Sequence, residues 1–269
     1  MARPIVRRFL QVLVNRGPWG LCVATFKKVA HDLHLTKPGP VRVSPGTTPN
    51  GANNLIHPFD LAHGTDTSGL IWGEEITTGN HNDLWSTAYY GISPSLFEQI
   101  FNTLDLDWQR FTFLDLGSGK GRALLLASRF PFRSIIGVEL APKLSDVAAK
   151  NIEQFSAPWQ RCRTIEARTG DATAVDYPGG PIVVFLFNPF LAPVLKRCLQ
   201  NLSRSLVNDP REIYLVYVNP AFERLLKKHA PELQKQWQQT FNFTAEDAGA
   251  DRFGSTQEHV SVYRYLAPL

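Results

Sequence analysis

The sequence predicts an α/β protein built on a doubly wound, mostly parallel sheet, with a C-terminal antiparallel hairpin and a helical N-terminal leader. Three observations carry that expectation. From residue 111 onward, short continuous apolar runs alternate with amphipathic ones. Near the end, two strand-like runs (233–243 and 258–266) are joined by a polar loop with no helix between them. The first 34 residues carry apolar side chains at helical spacing on both sides of Gly17-Pro18.

The leader comes first. Ile5, Phe9, Val12 and Leu13 mark a helix over 4–14, and Leu21, Phe26, Val29 and Leu33 a second over 20–34. Residues 36–58 hold five prolines and three glycines without periodicity, the composition of a linker. The stretch 60–80, rich in Gly, Thr and Asp, is expected as an ordered loop, and 94–104 as a helix with Ser93 as N-cap. Strands are then expected over 111–116, 134–140, 163–167, 181–187 and 212–218, with helices over 122–129, 143–155, 192–206 and 221–229. Continuous apolar strands separated by helices mean a parallel sheet covered on both faces. The predicted units are a leader and linker over 1–59, a lid or cap over 60–108, and the α/β unit over 109–269.

Composition narrows the function classes. The chain has 269 residues, 43% hydrophobic and 19% charged, which excludes a disordered tail, a collagen-like fibre and a coiled coil. Cys22, Cys162 and Cys198 show no C-x-x-C spacing, so a reducing, cytoplasmic location is expected. No apolar run approaches the ~18 residues of a membrane span. Residues 1–43 carry eight basic residues against Asp32 alone, although the whole chain is only +4. Such a leader either visits an anionic surface, with weak membrane contact as the expected form and no specific nucleic acid, or packs on the body with its arginines solvated.

The chemistry concentrates at predicted strand ends. Phe113-Leu114-Asp115-Leu116-Gly117-Ser118-Gly119-Lys120-Gly121-Arg122 joins the first strand to the first helix. Its alternate glycines allow a sharp turn and close backbone approach to a ligand, and the helix start adds free N–H groups. Glu139 ends the second strand, where an acid can take both hydroxyls of a ribose. Gly170-Asp171-Ala172 follows the third strand, suited to adenine. A dinucleotide site needs G-x-G-x-x-G, and its third glycine would fall at Arg122, which opposes a nicotinamide enzyme.

Asp115 to Gly121, Glu139, Asp171 and Asn188-Pro189-Phe190, in that order, resemble a class I S-adenosylmethionine-dependent methyltransferase over residues 90–265. The leader is similar to that of bacterial members whose methyl acceptors are unassigned. The resemblance implies a Rossmann-like fold and S-adenosylmethionine as cofactor. It implies that Gly117, Gly119 and Gly121 form the floor under the methionine and ribose, and that Asp115 holds the methionine amino group. By the same resemblance Glu139 binds the ribose, Asp171 with Ala172 binds adenine, and Tyr90 closes over the methionine end.

Asn188, Pro189 and Phe190 stand where some nitrogen methyltransferases have Asn/Asp-Pro-Pro-aromatic, so a nitrogen acceptor is expected, protein lysine among the choices. With one proline the match is partial, and an Asn-Pro turn that merely ends a strand is the plain alternative, since Asn219-Pro220 repeats it. A small-molecule acceptor, or a non-catalytic adapter working through the basic leader, are the other readings. No metal is expected, because His57, Asp60 and His63, like His31 and His34, lack ligand spacing. His259 is expected to be structural.

Overall fold

A computed structural model describes residues 56–73, 75–250 and 255–267. The two leader helices and all but the last residues of the predicted linker lie outside the described residues. Seven strands form one sheet: β1 (Thr112–Leu116), β2 (Ser134–Glu139), β3 (Ile165–Thr169), β4 (Ile182–Phe187), β5 (Ile213–Val218), β6 (Gln234–Asn242) and β7 (Gln257–Tyr265). Their order is β3-β2-β1-β4-β5-β7-β6. The first five run parallel, while β7 pairs antiparallel with both β5 and β6. This is the Rossmann-like, mostly parallel sheet with an antiparallel hairpin at one edge.

The central strands are apolar throughout because both faces are covered. Phe113, Val183, Phe185 and Val216 point into one core, and Leu114, Val184, Leu186 and Leu215 into the other. The first core is closed by α2 (Pro94–Asn102), whose Leu96, Phe97, Ile100 and Phe101 are buried in an i, i+1, i+4, i+5 stripe. Phe97 and Phe101 stack at 4.2 Å, and Phe97 meets both Phe113 and Phe185. α3 (Arg122–Ala127) lies on the same side, buried along its whole length. The second core is closed by α5 (Ala192–Asn208) through Val194, Leu195, Cys198, Leu199, Leu202 and Leu206. Between β2 and β3 stands α4 (Pro142–Gln154), and between β5 and β6 the short α6 (Arg224–His229). Burying Leu, Val and Phe side chains at ~1.5–3 kcal/mol each is what holds these layers together.

Two expectations about loops are corrected. Pro58–His63 is a helix, α1, within the stretch read as loop. Its signals are local: Pro58 in the first turn, the His57 ring accepting from the Phe59 N–H at 3.1 Å, and Gly64 in the left-handed region after the last turn. Between β6 and β7 the loop contains a helix, α7 (Ala245–Ala250). Tertiary contact holds it there, because buried Asp247 accepts from the Ser95 N–H at 2.9 Å and from the Ser95 hydroxyl, and pairs with His57 at 3.3 Å. Among the described residues no helix is long and apolar enough to cross a membrane.

Candidate active site

The crevice forms where the carboxyl ends of β1, β2 and β4 meet the turn after β3. After Leu116 the backbone carries Gly117, Gly119 and Gly121 at φ of +87°, +54° and +85°, a conformation costly for any side chain. Space is the second constraint at two of them. A Cβ on Gly117 would lie 2.5 Å from Pro189, and one on Gly119 would lie 2.2 Å from the Tyr89 ring. The turn therefore brings the Pro189 and Tyr89 side chains into contact with bare backbone. Gly121 starts α3 as its N-cap.

The acids follow from the strand ends. Asp115 sits in a fully buried strand, 4% exposed, and faces the crevice. No hydrogen-bond donor among the described residues holds its carboxylate, and burial, with the Glu139 charge added, raises its pKa well above the ordinary value. Glu139 is also raised by burial, against hydrogen bonds to backbone N–H groups that pull the other way. Each of its oxygens takes one of them, from Gly119 at 2.8 Å and from Ala141 at 2.9 Å. The Leu140 N–H also acts on this carboxylate, which is thus oriented by backbone donors while it faces the crevice. Asp171 caps a 3-10 turn (Ala172–Ala174), its Oδ1 accepting from the Thr173 N–H and hydroxyl at 2.8 Å each.

Of the eleven residues expected in the site, Tyr90, Asp115, Gly117, Glu139, Asp171, Ala172, Pro189 and Phe190 line one crevice of about 990 Å³, its open mouth included. Gly119 and Gly121 lie behind that lining and shape the turn. Asn188 lies beneath it, 1% exposed, at φ +42°. The Asn188 Oδ1 accepts from the Tyr217 hydroxyl at 3.2 Å, and its backbone carbonyl accepts from the Thr87 hydroxyl at 3.0 Å. The Pro189 carbonyl accepts from the Thr87 N–H at 3.2 Å. The oxygens expected to face a nucleophile therefore take hydrogen bonds from the fold itself, and Pro189 and Phe190 are what Asn188 presents to the crevice.

Sequence reasoning missed how residues 57–92 are bound to the glycine turn. Asp60, buried in α1, accepts from the Thr65 hydroxyl at 2.6 Å, the Thr67 N–H at 2.9 Å and hydroxyl at 2.6 Å, and the Ser68 hydroxyl. Arg122 completes the cage, 3.5 Å from the Asp60 carboxylate and donating to the Thr67 hydroxyl at 2.7 Å. Asn151 on α4 accepts from the Asp66 N–H and donates to the Asp66 and Lys120 carbonyls. Tyr89 lies over Gly119 and donates its hydroxyl to the Thr67 carbonyl at 2.7 Å, while Tyr90 meets Phe187 edge-on at 4.9 Å. A signal was present: Arg122 is the lone charge in a helix otherwise wholly apolar, so it had to find a buried acid. Of the residues considered for metal, His57 pairs with Asp247, Asp60 sits in this cage and His63 is tilted on Phe59 at 4.7 Å, while His31 and His34 lie outside the described residues.

The donor set fits a cationic nucleoside: two desolvated acids facing one crevice, a backbone-held carboxylate for a ribose, and a third acid at the far strand. Residues 78–169 match the family model described as Histone methylation protein DOT1. No curated relative matches the sequence. Among solved structures, the chain is similar to geranyl diphosphate C-methyltransferase from Streptomyces coelicolor A3(2), at 13% identity over 64% of this chain and 77% of that one, with a TM-score of 0.43. A second is a SAM-dependent methyltransferase from Methanosarcina mazei, at 14% identity, 66% and 100% coverage and a TM-score of 0.43. A third is an RNA methyltransferase from Salinibacter ruber in complex with S-adenosyl-L-homocysteine, at 18% identity, 66% and 93% coverage and a TM-score of 0.38. The sheet topology is Rossmann-like, the expected acids stand in order along its carboxyl edge, and residues 78–169 within it match a histone-methylation family model.

Proposed function

We propose that the protein transfers a methyl group to a nitrogen nucleophile, and that the acceptor is a lysine side chain of another protein. The observation that carries this reading is the composition of the crevice. Its acids lie at the β1, β2 and β3 ends and on the 3-10 turn over His81–Trp85, whereas the wall made by Ile92, Phe187, Pro189 and Phe190 is apolar. Among the described residues lining it there is no His and no Lys. A hydroxyl acceptor needs a positioned base, while an amine needs only to lose its proton to solvent before it enters. The family model that matches 78–169 is described as a histone methylation protein, which supports a protein acceptor.

When bound, the cofactor supplies a methyl already activated by its sulfonium. The chain's own residues orient and desolvate. Asp115 would hold the methionine amino group, directly or through a water. Glu139 would take the ribose hydroxyls, and Asp171 with the Ala172 backbone would take the adenine edge. Tyr90 and Phe190 close the apolar end and keep water from the reacting atoms. Positioning of this kind is worth ~7–11 kcal/mol of a barrier. Asn188 is a positioning residue here: its bonds to Tyr217 and Thr87 set where Pro189 and Phe190 lie.

The test is incubation of a cell lysate with the protein and methyl-labelled cofactor, followed by mass spectrometry. Label on protein lysine is the expected result. Label confined to small molecules, or to hydroxyl groups, overturns the acceptor assignment. With the acceptor in hand, Asn188→Ala is expected to lower turnover while leaving cofactor affinity near its parent value.

A further inference from the structure

We propose that Asn82, on the 3-10 turn His81–Trp85 that precedes the α/β unit, is a positioning residue for adenine recognition, acting through Asp171. The inference rests on the cofactor reading above and deepens it. Asn82 is 2% exposed, and its amide nitrogen donates to the Asp171 Oδ2 at 2.7 Å across 89 residues of chain. The amide cannot turn around. Arg197 on α5 donates to the Asn82 Oδ1, so the oxygen is held on one side and the NH₂ is directed at Asp171. The Asn80 side chain accepts from the Asn82 N–H at 2.8 Å, which fixes the backbone of the same turn.

Counting lone pairs shows what this does for a ligand. A carboxylate oxygen has two acceptor sites. Both sites on the Asp171 Oδ1 are filled by Thr173. Asn82 fills one on Oδ2, which leaves a single site with a fixed direction. Asp171, Ala172 and Asn82 all line the crevice. The exocyclic amino group of adenine is a donor and can use that site, whereas the 6-oxo group of hypoxanthine is an acceptor and would meet the carboxylate oxygen with no proton between them. Asn82 thus makes Asp171 a reader of the 6-amino group, with Arg197 setting the amide. Aspartate at position 82 would keep an oxygen for Arg197 and place a second carboxylate against Asp171, so the amide is the chemistry this place requires.

The experiment is titration calorimetry of the full-length protein with S-adenosyl-L-homocysteine and with S-inosyl-L-homocysteine. The parent protein is expected to prefer the adenine ligand by about tenfold or more, as one hydrogen bond to a charged acceptor implies. Asn82→Ala is expected to weaken the adenine ligand about tenfold, to change the inosine ligand less than about twofold, and so to erase the preference. Asn82→Asp, which keeps an oxygen for Arg197 but sets a carboxylate where Asp171 had a donor, is the second variant should the alanine protein not fold, and the same loss of preference is expected. Equal weakening of both ligands in either variant would assign Asn82 a purely structural role and overturn the inference. A parent protein that binds both ligands equally removes Asp171 from adenine recognition, and with it this role for Asn82. Binding of neither ligand overturns the cofactor reading itself.

Discussion

Asp60 and Asp115 are both aspartates buried to within a few per cent, 2% and 4% exposed, yet they titrate in opposite directions. Burial pushes each of them up. At Asp60 the hydrogen bonds from Ser68, Thr65 and Thr67 and the Arg122 charge outweigh it, and the pKa falls below the ordinary value. At Asp115 no donor and no cation of the described residues offsets burial, and Glu139 adds repulsion. The first acid is satisfied by its own chain and serves the fold. The second is left costly in the folded protein, and under the proposed function a cationic ligand would relieve that cost. Burial alone does not separate a structural acid from a binding one; the partners do.

The largest effect is expected where the satisfied acid is removed. Asp60→Ala strands Arg122 as a buried, unpaired cation, and about 3–5 kcal/mol of unfolding free energy should disappear in urea titration. A loss below about 1 kcal/mol would mean that solvent reaches Arg122 and that the contrast with Asp115 is weaker than the geometry states. Asp115→Asn should do the reverse. Without ligand its melting temperature should rise by about 2–4 °C, while S-adenosyl-L-homocysteine binds about tenfold more weakly. A variant that melts lower and binds as the parent does would place Asp115 with Asp60.

Glu139→Ala lies between the two, because Glu139 has both backbone donors and a raised pKa. It is expected to weaken the cofactor product about tenfold and to cost ~1–3 kcal/mol through the freed Gly119 and Ala141 N–H groups. Unchanged affinity by calorimetry would take Glu139 away from the ribose.

The smallest effect is in the pH profile, and its sign differs for the two acids. Asp60 has a lowered pKa, so its stabilisation is present above the unfolded value of 3.8 and is lost as pH falls through the lower folded value. Asp115 and Glu139 have raised pKa values, so the native state without ligand binds more protons than the unfolded chain. Their destabilising effect is absent below the unfolded values and grows as pH rises through the folded ones. Affinity for S-adenosyl-L-homocysteine should therefore tighten as pH rises past the unfolded values of 3.8 and 4.5 and through the raised folded ones, with proton release on binding seen as a buffer-dependent enthalpy. A flat profile would mean the pair is already ionised in the free protein.

The sheet was legible because its signals are short. Apolar runs such as Ile182–Phe187, the glycine turn after Asp115, and acids at strand ends are read within about ten residues, and the observed strands begin and end within two residues of expectation. α1 was misread although Pro58 and Gly64 mark its ends, since six residues are too few to show a period. α7 was misread because Asp247 needs Ser95, 152 residues earlier, to hold it. At the site, the chain gave no sign that Tyr89 lies against Gly119, or that the Asn188 side chain takes a hydrogen bond from Tyr217.

By itself the sequence determined the layered parallel sheet, the end of it where a ligand can lie, and the acids Asp115, Glu139 and Asp171 at that end, because each of these follows from the spacing of residues near one another in the chain. Tertiary structure alone decided which of the buried acids are satisfied and which wait for a partner. Arg122 reaches Thr67 over 55 residues, Asn82 reaches Asp171 over 89, and Arg197 reaches Asn82 over 115. Hydrogen bonds made over such separations leave no period in the chain, and they appear only when the fold has brought their ends within 3 Å.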